Sequence, residues 1–257
     1  MLPSHFLARV GSCAWFRIRG VGFLTDPIEA IAFYGVFVFA VTVHEASHAL
    51  AAKLGGDLTA YNGGQVSLDP VPHMKREPFG MVILPILSVA MMGWPMGYAS
   101  APYDPRWAER YPKRAAWMAL AGPAANLGLV IVAALLVRVG MSFGIFEAPS
   151  SIHFSQITAA VGDSAGLAAG SAFLLSIFFS LNLLLFVLNM IPLPPLDGSG
   201  ALPLILPDRW LEAYRGLIHQ PMIGLIGIVI VWNLVGEIFF PFLLFSIGLL
   251  YPGVRYG

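Results

Sequence analysis

His44 and His48 lie four residues apart, with Glu45 between them, inside the apolar run 31–50. On a helix, positions i and i+4 share one face, so two such imidazoles can grip one metal ion. Glu45 would stand beside that ion, where a carboxylate can move protons at a bound water. With six histidines and seven glutamates in 257 residues, chance supplies on the order of 0.004 such patterns. The bland alternative is a pair of packing histidines. It would bury two imidazoles and a carboxylate in hydrocarbon with nothing to compensate them, and ionisable groups at membrane depth usually mark function. The chemistry indicated is metal-assisted hydrolysis, with zinc as the ion.

A hydrolytic zinc site takes three protein ligands and keeps one position open for water. The third ligand has five candidates: Asp197, Glu237, His73, Asp69 and Asp57. Asp197 closes the segment Asn189-Met-Ile-Pro-Leu-Pro-Pro-Leu-Asp197-Gly198. Its prolines force extended backbone, which could present a carboxylate at the end of a helix. A helix-stop loop carrying a solvated Asp fits the same pattern.

The elements that would position these groups are membrane spans. The chain is 58% hydrophobic and only 11% charged, against about 25% charged in a soluble domain. A net charge of zero argues against nucleic acid as a partner. The lone cysteine, Cys13, excludes an internal disulfide and a cysteine-based zinc site. Five apolar blocks emerge: Ile28–Lys53, Phe79–Tyr98, Ala115–Val139, Ala168–Ile191 and Met222–Leu250. The second is interrupted by Pro85, Gly93, Pro95 and Gly97. The fifth is long for one span and short for two, with a potential break at Gly236 and Pro241. Between the first two blocks, Asn62-Gly63 and the alternation Gln65-Val66-Ser67-Leu68 read as a β-hairpin. Trp94, Trp107, Trp117 and Trp210 read as interface anchors. The first 26 residues, broken by Arg9, Arg17 and Arg19, read as an interfacial segment and not as a cleaved signal peptide.

Three ordered motifs resemble the site-2 protease family of intramembrane zinc metalloproteases, in its compact prokaryotic-type branch. They are His44-Glu45-Ala46-Ser47-His48, then Gly122-Pro123-Ala124-Ala125-Asn126, then Asn189 through Gly198. Leu68-Asp69-Pro70 with His73 is similar to the same branch. The resemblance spans about residues 30–202. It implies that His44, His48 and Asp197 bind one Zn2+ per chain, with Glu45 as general base. It also implies that Asn189 lies close to the metal, where it could hold substrate or the developing oxyanion. No PDZ or CBS domain is expected.

If Asp197 is the third ligand, the ends of the first and fourth blocks lie on one side of the membrane. Two full crossings between them would put those ends on opposite sides. The second block is therefore expected to dip in and return. The fold expected is an all-α polytopic membrane bundle, with a small β-hairpin between the first span and that re-entrant segment. Its parts are an interfacial segment (1–27), a catalytic core (28–202), and a C-terminal amphipathic linker with membrane segment and gate (203–257). Lysine and arginine concentrate at the metal end, which puts that end towards the cytoplasm of a cell membrane.

The function expected is an intramembrane zinc endopeptidase. The alternatives are a non-catalytic zinc-binding membrane protein and a pseudo-protease scaffold that binds transmembrane helices. The expected partners are a transmembrane protein substrate and the lipid bilayer, with a homo-oligomer or a regulatory membrane partner as further options. Asn126, Asn182 and Asn189 could line a polar route to the ion or bond helix to helix. Close helix packing is sufficient reason for Gly122, Ala125 and Gly128.

Overall fold

A computed structural model describes residues 26–162, 166–218, 220–254 and 256. The expected interfacial segment therefore lies almost wholly outside the described residues.

The first long helix, α1 (Pro27–Gly55), has its ends set by local chemistry. Asp26 accepts from the Ile28 N–H, Pro27 supplies a helical φ, and Gly56 closes the helix at φ 98°. Short helices follow: α2 (Thr59–Asn62), α3 (Pro70–Arg76), a π turn at Phe79–Ile83 running into α4 (Leu84–Met92), and α5 (Pro105–Arg110). The long α6 (Pro112–Ser142) comes next, then a two-stranded ribbon of β1 (Phe146–Glu147) and β2 (Ala159–Ala160). The chain ends with α7 (Leu167–Asn189), α8 (Asp197–Ala201), α9 (Asp208–Ile218) and α10 (Pro221–Leu250).

Four of these helices, α1, α6, α7 and α10, are long and apolar enough to span a bilayer. Packing fixes their directions. Gly55 lies against Arg114, His48 reaches Met118, and Asn126 reaches Ala40, so α1 and α6 are antiparallel. Phe33 meets Phe173 and Phe39 meets Phe178, so α1 and α7 run parallel. Gly227 presses on the Pro194 carbonyl while Arg138 donates to the Leu250 carbonyl, so α10 descends antiparallel to α7. The principal core lies between α6, α7 and α10, around Phe179, Phe239 and Val137.

The second apolar block makes no net crossing, as expected if Asp197 is the third ligand. After α4 the chain turns at Gly93 and comes back extended. Met96 N–H donates to Ser88 Oγ at 2.7 Å, Tyr98 N–H to the Gly80 carbonyl at 3.1 Å, and Ser100 Oγ to Glu77 at 2.6 Å. A Cβ on Gly97 would strike the Gly80 carbonyl, so glycine is what lets the returning strand lie against the helix.

Two expectations, the hairpin and the Trp107 anchor, need correction, and the open path of the fifth block is now seen. Residues 59–70 form no hairpin: α2 and a loop occupy them, and the ribbon sits between α6 and α7. Asp57 explains the change, because its Oδ1 accepts from the backbone and hydroxyl of Thr59 (2.9 and 2.6 Å) and starts a helical turn. The fifth block is one helix, with Pro241 inside it. At 1.5 Å per residue it is about 45 Å long, so it must tilt or protrude from a roughly 30 Å core. Trp107 is buried, not an anchor, and its indole N–H donates to the Gly55 carbonyl at 3.0 Å.

Asp57 also ties this turn to the chain before α5, since Oδ2 accepts from the Asp104 N–H at 2.8 Å. Burial alone would raise its pKa. The hydrogen bonds from Thr59 and Asp104 outweigh burial and hold the carboxyl below its ordinary value of 3.8. Asp57→Ala is expected to cost about 1–3 kcal/mol. Because the folded pKa is depressed, the stabilisation is whole above the ordinary value and lost as pH falls through the folded one. Thermal unfolding in detergent should show a gap between wild type and variant that is constant near neutrality and closes in acid.

Candidate metal centre

The centre is built where α1, α6 and α8 meet. His44 and His48 occupy one face of α1, both buried at 6% exposure. Asp197 is the first residue of α8 and stands about a quarter exposed. Its Oδ2 lies 2.9 Å from His44 Nε2 and 3.3 Å from His48 Nε2, and the two Nε2 atoms are 3.0 Å apart. Tetrahedral zinc with bonds near 2.0–2.1 Å spaces its ligand atoms by about 3.3 Å. Two imidazoles and one carboxylate at this spacing fit a single zinc ion.

Each imidazole is held from behind. His48 Nδ1 lies 2.7 Å from the Met118 carbonyl, and His44 Nδ1 lies 2.5 Å from Asn126 Oδ1. A proton on Nδ1 satisfies each acceptor and leaves the Nε2 lone pair for the metal. Gly122 completes the cradle. A Cβ there would overlap His48 Nε2 and come within 2.5 Å of His44 Nε2. Gly198 does the same for Asp197. Its Cβ would meet the Ile191 and Met190 carbonyls at 2.5 and 2.6 Å, so only glycine lets α8 seat against the end of α7. Packing is thus the reason for Gly198. Gly122 serves more than helix packing, while Gly128 has nothing within 4 Å.

Glu45 is 5% exposed, and its Oε2 makes no hydrogen bond. A buried carboxylate oxygen without a partner is costly, and no group among the described residues satisfies this one.

Of the five candidates for the third ligand, the fold brings only Asp197 to the histidines. Asp57 holds its loop, Asp69 caps α3 through the Val71 N–H, and His73 is buried beside the Ser67 carbonyl. Glu237 is exposed on α10. Asn189 ends α7 half-buried, and its side chain makes no hydrogen bond among the described residues. Asn126 and Asn182 are fully buried and bonded to each other, so they line no open route. Sequence reasoning missed Asn126 as the partner of His44, although its motif had singled it out.

Bilayer-length helices, a returning apolar segment and a two-histidine, one-carboxylate centre define a membrane-embedded metallohydrolase. The chain belongs to peptidase family M50, the site-2 protease family, whose model matches residues 32–214. It is similar to YwhC of Bacillus subtilis, 28% identical over 186 residues that cover 72% of this chain and 74% of the relative. It is also similar to Rip2 of Mycobacterium tuberculosis strain Erdman, 31% identical over 84% of this chain and 72% of that one. Rip2 of Mycolicibacterium smegmatis is 27% identical over 90% of this chain and 77% of its own. All three relatives carry names for a zinc metalloprotease. No solved structure matches.

Proposed function

We propose that this chain is a zinc endopeptidase that hydrolyses peptide bonds in or near transmembrane segments of other proteins. The observation that carries the reading is the convergence of His44, His48 and Asp197 beside the unpartnered Glu45 carboxylate.

His44, His48 and Asp197 hold the ion. A bound zinc acts as a Lewis acid and brings the pKa of water to about 7. Glu45 takes a proton from the attacking water as its oxygen adds to the peptide carbonyl. It then delivers that proton to the amide nitrogen as the C–N bond breaks. Asn189, free of other hydrogen bonds, is assigned the substrate carbonyl. A site built only to store zinc would have no use for the free Glu45 oxygen.

Depth supports the substrate class. His48 lies seven residues before the end of α1, which is about 10 Å along the helix. A transmembrane substrate must unwind to reach that depth, because helical peptide bonds are wrapped and hydrogen-bonded. Lys53, Lys75, Arg76, Arg106, Arg110, Lys113, Arg114 and Arg209 lie on segments at the metal end. Positive charge on that side supports an active site nearer the cytoplasm of a cell membrane.

The test combines zinc content with cleavage of tagged single-span substrates by purified protein, with and without chelator. Cleavage should stop on chelation and return with zinc. Asp197→Asn should lower zinc affinity by more than the 10- to 100-fold typical of losing a group behind a ligand, while Glu237→Gln leaves it unchanged. The reverse order would move the third ligand to α10.

A further inference from the structure

The orientation of His44 is set from outside the metal centre. Asn182 Nδ2 donates to the Phe178 carbonyl at 2.8 Å, and Asn126 Nδ2 donates to Asn182 Oδ1 at 2.9 Å. Asn126 Oδ1 then meets His44 Nδ1. The Ala40 carbonyl, 3.4 Å from Asn126 Nδ2, favours the same sense. Both asparagines are 0% exposed, so no water competes for their polar atoms.

A main-chain carbonyl can only accept. It therefore demands the NH2 end of Asn182, which turns the oxygen of that amide towards Asn126. That oxygen demands the NH2 end of Asn126, which turns the next oxygen towards His44. Reversing either amide would set lone pair against lone pair in a dry interior, at a cost of about 1–3 kcal/mol. His44 must answer with Nδ1–H, and its lone pair falls on Nε2, facing Asp197. His48 takes the same instruction directly from the Met118 carbonyl.

We propose that Asn182 is a positioning residue for the metal centre. Through Asn126 it sets the tautomer of His44, although its own hydrogen bonds go to Asn126 and Phe178. The inference rests on the zinc reading above and adds to it the control of one ligand from α7.

The test uses full-length protein in detergent, zinc affinity by chelator competition, and ¹⁵N-histidine spectra of the metal-free form. Asn182→Leu removes the acceptor, so the Asn126 amide can turn over and offer NH2 to Nδ1. Zinc affinity should fall about 10- to 100-fold, and His44 Nδ1 should change from protonated to unprotonated. Adding Asn126→Asp should restore most of the affinity, because a carboxylate accepts whichever oxygen faces His44.

A second variant, Asn182→Asp, covers failure of the leucine chain to fold. As a neutral carboxyl it can donate to Phe178 and accept from Asn126, so zinc affinity should stay within a few-fold of wild type. Wild-type affinity in Asn182→Leu would overturn the inference. So would a loss that Asn126→Asp does not reverse, or a large loss in Asn182→Asp, since either would mark a packing defect. A wild-type chain that takes up no zinc would fail the metal reading itself, and this inference with it.

Discussion

Gly122→Ala is expected to cost this protein its zinc while leaving the four long helices in place. The added methyl would overlap His48 Nε2 and lie 2.5 Å from His44 Nε2, where real Cβ contacts essentially never fall below 3.0 Å. Either imidazole must retreat by roughly half an ångström or more, whereas metal sites tolerate about 0.2 Å in bond length. Local relaxation has little room, because the Met118 carbonyl and Asn126 hold both rings from behind. The helix itself has no objection. Alanine is favoured over glycine in a helix by about 1 kcal/mol, which offsets part of the 1–3 kcal/mol typical of overpacking. Zinc per chain after purification should fall at least tenfold, with helical circular dichroism retained. Gly128→Ala is the control, since nothing lies within 4 Å of its Cβ and zinc should be unaffected. Wild-type zinc content in Gly122→Ala would mean that the imidazoles do not lean on α6.

What could be read from the sequence follows from the range of the interactions involved. The histidine pair was legible because helix periodicity alone places i and i+4 together. The returning second block was legible because it follows if Asp197 meets the histidines: convergence of the α1 and α7 ends forbids two crossings between them. The Asn126–Asn182 contact joins residues 56 positions apart on two spans, and no local pattern encodes such a pairing. The loop after α1 went wrong for a local reason. Asn62-Gly63 is a strong hairpin signal, but the Asp57 carboxylate starts a helical turn at Thr59, ahead of it, and that turn consumes the segment. Trp107 went wrong because the usual place of tryptophan at an interface carries no knowledge of Gly55, whose carbonyl at the end of α1 takes the indole N–H alongside Arg114. Gly122 looked like ordinary helix packing, since the imidazoles that require its bareness belong to another helix.

Glu45→Gln is expected to separate binding from chemistry. Glutamine keeps the shape of the side chain and cannot carry a proton between water and a leaving amide. General acid–base groups contribute about 10²- to 10⁴-fold, so cleavage of a verified substrate should fall by that factor. Zinc content should stay at the wild-type value, because the three side chains that converge and could hold the ion, His44, His48 and Asp197, do not include Glu45. The fold should also survive. The Oε2 of Glu45 has no hydrogen bond to lose, and an amide buried in its place removes a charge from the interior. This outcome differs from that of Asp197→Asn or Gly122→Ala, in which metal and cleavage disappear together. Near-wild-type cleavage by Glu45→Gln would assign the proton transfer to another group, and the unpaired carboxylate oxygen would then have no role in the reaction.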